Sequence, residues 1–222
     1  MKPSKAFSFI LPFFAMAVPF AYIYMIWDRL PQTIPTHFGI SGQADSWGPR
    51  SEIFLAPLIF SVMGTAVYFL IRNVHRIDPK KKYTDSNIEV MNKISVMMLV
   101  FLCALSLVII QSTLTGKLFS GNLILTLVAL FFAFMGNIMH SLKPNYFVGI
   151  RLPWTLENED NWRQTHQKAS KIWMAGGLLL AALSFFIPQK PFLAVFFAGT
   201  IIIVLIPVIF SYRLYKKNQS DK

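Results

Sequence analysis

Apolar residues in this chain gather into six long, nearly unbroken runs separated by shorter polar segments. The runs cover residues 7–27, 53–71, 94–110, 123–139, 172–187 and 192–210. They are 16 to 21 residues long, and a membrane-spanning helix needs roughly 17–25. The shortest, 172–187, extends at its N-terminal end through Lys171 and Lys168, whose ammonium groups can reach the interface while their stems stay apolar. The first run follows Lys2 and Lys5 but is too long for a signal-peptide core, and no small-residue cleavage site follows it. It is expected to be a retained helix. The pattern predicts an all-α integral membrane bundle of six transmembrane helices.

Composition agrees. Hydrophobic residues make up 55% of the 222 positions and charged residues only 14%, against about 25% charged in a soluble domain. Mean hydropathy is +0.51. A water-soluble globule, a disulfide scaffold and a free nucleic-acid binder are excluded on these grounds. The net charge of +11 is read first as topology. With six spans, 17 of the 21 basic residues fall on the side of both termini and only four, Arg29, Arg50, Lys117 and Lys190, on the other. Basic residues accumulate in cytoplasmic loops, so both termini are expected in the cytoplasm. The basic excess then attracts anionic membrane lipids, and no direct contact with nucleic acid is expected.

The apolar runs contain no Asp, Glu, Lys, Arg or His. Ion-coupled carriers retain such groups inside the membrane, so their absence argues against one. Gly176 and Gly177 allow close helix approach. Cys103, the one cysteine, reads as a small buried hydrophobe. No phosphate-cradling glycine loop, nucleophile elbow or HExxH motif is present, and neither a cofactor nor a metal is expected. His37 falls on the opposite side of the membrane from His75, His140 and His166. A zinc site would therefore need His140, His166 and a carboxylate to converge.

Two connecting segments are not generic. The first, residues 28–52, holds three prolines and three glycines between Leu30 and Arg50, which disfavours a helix. Residues before proline prefer extended backbone, so Thr33 to Phe38 is expected to be extended, with turns at Gly39, Gly42 and Gly48. This segment either caps the ends of the first two helices or meets a ligand through His37, Phe38, Asp45, Trp47 and Arg50; the two roles are compatible. The second, residues 140–171, carries a helix start. Thr155 suits an N-cap, Glu157, Glu159 and Asp160 complement the helix dipole, and Trp162, His166, Ala169 and Trp173 share one face. The stretch before it, punctuated by Gly149 and Pro153, is expected at the interface, with Arg151 bonding carbonyls or lipid phosphate.

These segments carry a family resemblance. Gly136-Asn137-x-Met139, Pro144-Asn145-Tyr146-Phe147-Val148-Gly149-Ile150-Arg151, Pro153-Trp154-Thr155-Leu156 and Trp162-x-x-Thr165-His166 match in order and spacing the signature of the SdpI family of bacterial multipass membrane proteins. Leu152 and Gln167 depart from it, standing where Thr and a basic residue are the pattern. Leu30-Pro31, Ile34-Pro35-Thr36-His37-Phe38, Gly42, Asp45 and Trp47 resemble the domain of unknown function that often precedes that signature. The resemblance implies an N-terminal two-helix domain over 1–92 and a four-helix domain over 93–222. It also implies a plasma-membrane location and a non-enzymatic role in immunity and signal transduction. A hydrophobic peptide toxin would meet the external face, and the basic cytoplasmic loops would hold a transcriptional repressor. The candidate binding residues are His37, Phe38, Asp45, Trp47, Asn137, Asn145, Arg151, Trp154, Trp162 and His166. An alternative is a membrane enzyme acting on lipid or peptide at the cytoplasmic interface through His140, Arg151, Asp160 and His166.

Overall fold

A computed structural model describes residues 5–39, 42–79, 84–116 and 122–220. The lysine run at 80–82, Lys117 and residues 40–41 fall outside the described residues. Eight helices and one hairpin occupy the described chain: α1 Lys5–Ile26, β1 Thr33–Phe38, β2 Ala44–Pro49, α2 Leu55–Arg72, α3 Val74–Ile77, α4 Asp85–Thr115, α5 Leu123–Met139, α6 Pro153–Glu157, α7 Glu159–Leu183 and α8 Gln189–Ser220. Four helical segments are long and apolar enough to cross a membrane: Phe7–Arg29, Arg50–Arg72, Asp85–Thr115 and Gln189–Ser220. Helix α5 is apolar throughout but has 17 residues. Most of the fifth apolar run forms the second half of α7, which ends at Leu183. The protein is a multi-pass membrane protein, predominantly helical, and the hairpin is the exception to an all-α description.

The chain divides into two compact units, Met1–Leu70 with Ser95–Ile124, and Ile71–Ile94 with Leu125–Lys222. In the first unit, Met16, Tyr68, Leu99 and Leu102 form one buried cluster. A second contains Ile23, Ile26, Leu30, Ile34, Ile53 and Ile110. Ile34 of β1 thus packs the hairpin against the end of α1, the end of α4 and Ile53 in the turn that precedes α2. In the second unit the core is Ala129, Leu180, Ala181, Phe192, Phe196 and Ile203. Small residues bring α5 and α7 together. A Cβ on Gly177 would lie 2.6 Å from the Ala129 carbonyl oxygen, and one on Gly136 would lie 2.3 Å from the Met174 nitrogen. Either substitution would force two backbones apart.

Three prolines sit beyond the first turn of membrane-length helices, Pro12 and Pro19 in α1 and Pro207 in α8. Each lacks an N–H and so frees the carbonyl four residues earlier. In hydrocarbon no water can satisfy that oxygen. A side chain from another helix does so in every case. The Tyr68 hydroxyl donates to the Ser8 carbonyl at 2.8 Å. The Cys103 thiol donates to the Ala15 carbonyl at 3.4 Å. The Trp173 indole N–H donates to the Ile203 carbonyl at 3.0 Å. Cys103 therefore serves as a weak donor as well as a packed apolar side chain.

Candidate functional site

The hairpin pairs β1 with β2 antiparallel, from Thr33 opposite Pro49 to Phe38 opposite Ala44, with irregularities around His37. The extended geometry expected for Thr33 to Phe38 is realised. Gly42 supports the turn with φ of 75°, a conformation that suits glycine. His37 Nδ1 and Asp45 Oδ1 lie 2.5 Å apart across the strands, both exposed, and the Thr36 hydroxyl donates to Ser46 Oγ at 3.3 Å. Trp47 is 57% exposed, and Phe38 is half-buried. The Arg50 guanidinium stands 4.5 Å above the Trp27 ring. A polar pair beside an uncovered indole is a surface able to take both hydrogen-bonding and apolar contacts.

The signature segment of the second unit is built around four buried polar side chains. Asn145 is fully buried and uses both ends of its amide. Its Nδ2 donates to the carbonyls of Lys143 and Val148 at 2.9 and 3.0 Å. Its Oδ1 accepts the N–H groups of Phe147 and Val148 at 2.9 and 2.7 Å. The Thr155 hydroxyl reaches the Ile150 carbonyl at 2.8 Å and accepts the Leu152 N–H at 2.9 Å. Asp78, also fully buried, accepts the Tyr146 N–H at 3.0 Å. Asn161 Nδ2 donates to the Ser211 carbonyl at 2.9 Å. A backbone without regular structure still needs its polar groups satisfied when buried, and these side chains supply the partners.

His166 completes the segment. Its Nε2 accepts the Ile150 N–H at 3.1 Å, so the ring proton sits on Nδ1, which donates to the Trp162 carbonyl at 2.8 Å. The imidazole stacks on Trp162 with centroids 4.0 Å apart, and the Trp162 indole N–H donates to the Leu142 carbonyl at 2.8 Å. Burial pushes the His166 pKa down to about 4, with the bond to Trp162 pulling the other way. Gly149 passes directly over this ring with φ of 113°; a Cβ there would lie 2.5 Å from Nε2.

The structure corrects one local expectation. Thr155 does not begin the long helix. Pro153–Glu157 is a separate short helix, and the chain breaks at Asn158, whose side chain caps α7 by accepting the Asn161 N–H at 2.8 Å. Thr155 is turned inward to hold Ile150 and Leu152 instead. Glu159 and Asp160 occupy the first turn of α7. Hydrogen bonds from Arg163 and Gln164 hold the Asp160 carboxyl below its ordinary range. The expected shared face of α7 is present, with Trp162, His166 and Ala169 buried and Trp173 half-buried.

The candidate residues fall into distinct settings. His37, Phe38, Asp45 and Trp47 share the hairpin. Asn145, Trp162 and His166 are buried in the signature segment. Arg151 is exposed and bonds the Tyr146 carbonyl, a carbonyl contact of the kind expected for it. Trp154 is half-buried, donating its indole N–H to Ser211 Oγ at 3.0 Å and stacking on Tyr215. Asn137 and His140 are exposed. The four residues of the enzyme alternative are thus placed apart in role: His166 faces two backbone groups, Arg151 a carbonyl and Asp160 its own helix, and His140 is exposed. Among the described residues no three His, Cys, Asp or Glu side chains gather as a metal site would require. Asp78, Asn161 and Ser211 were not among the residues singled out by sequence; the only local signal for Asp78 is an acidic residue before Pro79 in a basic stretch.

Comparison with known proteins returns the same two segments. Residues 141–211 match the SdpI/YfhL protein family, and residues 14–60 match a domain of unknown function, DUF1648. The immunity protein SdpI of Bacillus subtilis (strain 168) is 27% identical over 214 residues, which cover 96% of this chain and 98% of that protein. An uncharacterized protein of Archaeoglobus fulgidus is 33% identical over 58 residues, 26% of this chain and 32% of that protein. No solved structure matches the chain.

Proposed function

Because the chain belongs to the SdpI family of membrane proteins, we propose that it is a bacterial immunity protein protecting its host against a membrane-active peptide toxin. The observation that carries this reading is the similarity to an immunity protein along nearly the whole length of both chains. The protein spans the plasma membrane six times, with both termini in the cytoplasm. Residues 1–92 form the N-terminal domain and 93–222 the domain that carries the signature. The 17-to-4 distribution of basic residues supports this orientation. The hairpin then lies outside, where His37, Asp45 and Trp47 meet a hydrophobic peptide. The signature segment lies inside, where its basic neighbours hold a transcriptional repressor. Protection proceeds by binding, without catalysis or a cofactor. The polar side chains of residues 140–171 support that reading, because Asn145, Thr155 and His166 direct their hydrogen bonds to the segment's own backbone.

Reporter fusions after Trp47 and after Trp154 test the topology. External and cytoplasmic readings, respectively, are expected; the same side for both rejects the six-span arrangement. Purified protein in lipid, incubated with peptide or phospholipid, is expected to release no product. Turnover abolished by His166→Ala but not by Lys190→Ala would move the enzyme alternative to first place.

A further inference from the structure

The end of α8 carries a surface that neither the immunity reading nor the family matches assign. Ile201, Leu205, Ile209, Tyr212 and Lys216 follow at spacings of four, four, three and four, which places them in one stripe along the helix. All are exposed; Ile201, Leu205, Ile209 and Tyr212 are 56%, 46%, 47% and 44% accessible. Leu205 to Lys216 covers about 16 Å of helix, close to the depth of one hydrocarbon leaflet. The stripe therefore runs from membrane interior to interface and changes there from aliphatic to aromatic to cationic.

The interfacial end is organised. Trp154 of α6 packs against it, edge-on to Tyr212 at 5.4 Å and stacked on Tyr215 at 5.7 Å. Its indole N–H is directed inward to Ser211, so the ring is held in place. The Lys216 ammonium stands 5.8 Å from the Tyr212 ring centroid. Neither that ammonium nor the Tyr212 hydroxyl forms a hydrogen bond or ion pair among the described residues. Arg213 and Lys217 are exposed on the same last turns, and residues 212–220 contain no carboxylate.

We propose that this stripe binds one anionic phospholipid, with its acyl chain along Leu205 and Ile209 and its phosphate at Lys216 and the Tyr212 hydroxyl, against the Trp154 platform. Charge complementarity selects the occupant. Free donors with a net positive field favour a phosphodiester bearing net negative charge over a zwitterionic headgroup, whose own cation would be repelled. The aliphatic stripe selects a lipid over a soluble phosphate.

The test uses native mass spectrometry of the purified full-length protein in detergent, with phosphatidylglycerol and phosphatidylcholine of identical acyl chains. Phosphatidylglycerol is expected to be retained about five-fold more strongly, the fold-change that one basic residue near anionic lipid carries. Lys216→Gln should bring the two lipids close to parity and Tyr212→Ala should weaken retention of both, while Lys190→Gln leaves both the preference and the retention intact. Equal retention of both lipids by the parent protein, or an undiminished preference in Lys216→Gln, would overturn the assignment. Because all these side chains are exposed, folding of the variants is checked independently by an unchanged melting temperature.

Discussion

The Ile150 N–H points at Nε2 of His166 from 3.1 Å, so that nitrogen serves as the acceptor of the ring. A proton on Nε2 would put two donors face to face and a charge in a buried site. The shift of the His166 pKa to about 4 from an ordinary 6.5 follows mainly from that burial. Between pH 6.5 and 4 the unfolded chain binds a proton that the folded chain refuses, so stability rises with pH across this window. The contribution is fully present above about pH 6.5, is lost as pH falls toward 4, and amounts to at most about 3 kcal/mol. Melting temperatures in detergent are expected to fall across that window and to fall less in His166→Gln, whose amide oxygen can still accept the Ile150 N–H. An equal slope in both proteins would show that other groups control the acid response.

Gly149 is constrained by the same ring. Its φ is 113°, and an added Cβ would stand 2.5 Å from Nε2 of His166, so Gly149→Ala must displace the imidazole or the loop. A loss of about 2–4 kcal/mol is expected. Gly116 is the internal comparison: its φ is 66°, but among the described residues nothing lies within 4 Å of an added Cβ, so Gly116→Ala should cost only about 1–2 kcal/mol. Thermal denaturation of the two variants side by side checks the ranking.

The carbonyls freed by proline can be tested the same way. Tyr68→Phe leaves the Ser8 carbonyl without its donor, at an expected cost of about 1–3 kcal/mol. In a Pro12→Ala background the restored N–H of residue 12 can bond that carbonyl, so removing the hydroxyl should cost less. A double-mutant cycle is expected to show coupling of about 1 kcal/mol or more. Additive effects would mean that the hydroxyl does not answer the proline.

Much of this architecture is legible in the amino-acid order, for identifiable reasons. Hydrocarbon requires long apolar runs, so the helices announce themselves. Proline spacing forces residues 33–38 to be extended, but their partner strand depends on the His37–Asp45 pair and on Ile34 docking into helix ends, which are tertiary facts. Thr155 and Asn158 are both good caps; only the inward demand of the Ile150 and Leu152 backbone for the Thr155 hydroxyl decides that Asn158 caps α7. Asn145 and His166 are readable as unusual residues, yet their partners are backbone groups of an irregular segment. The donors at Tyr68, Cys103 and Trp173 are invisible to any local pattern, because each proline they serve lies on a different helix.

Within the signature segment, Trp154→Ala and Arg151→Ala are expected to impair protection more than Lys80→Ala or Lys81→Ala at equal expression. Trp154 and Arg151 each hold a specified partner, Ser211 and the Tyr146 carbonyl. A single substitution away from such a specified contact ordinarily costs within about 0.5 kcal/mol. Survival assays at matched protein levels separate the two sets, and equal survival of all four would remove residues 140–171 as the functional centre.

The most direct measurement is survival of the native host after deletion of this chain, challenged with a panel of membrane-active peptides and complemented in trans. The deletion strain is expected to become sensitive to at least one peptide. The intact chain should restore resistance while the amount of intact peptide in the culture stays constant, as protection by binding predicts. A deletion strain as resistant as its parent to every peptide, or resistance restored only as the peptide is degraded, would contradict immunity by binding.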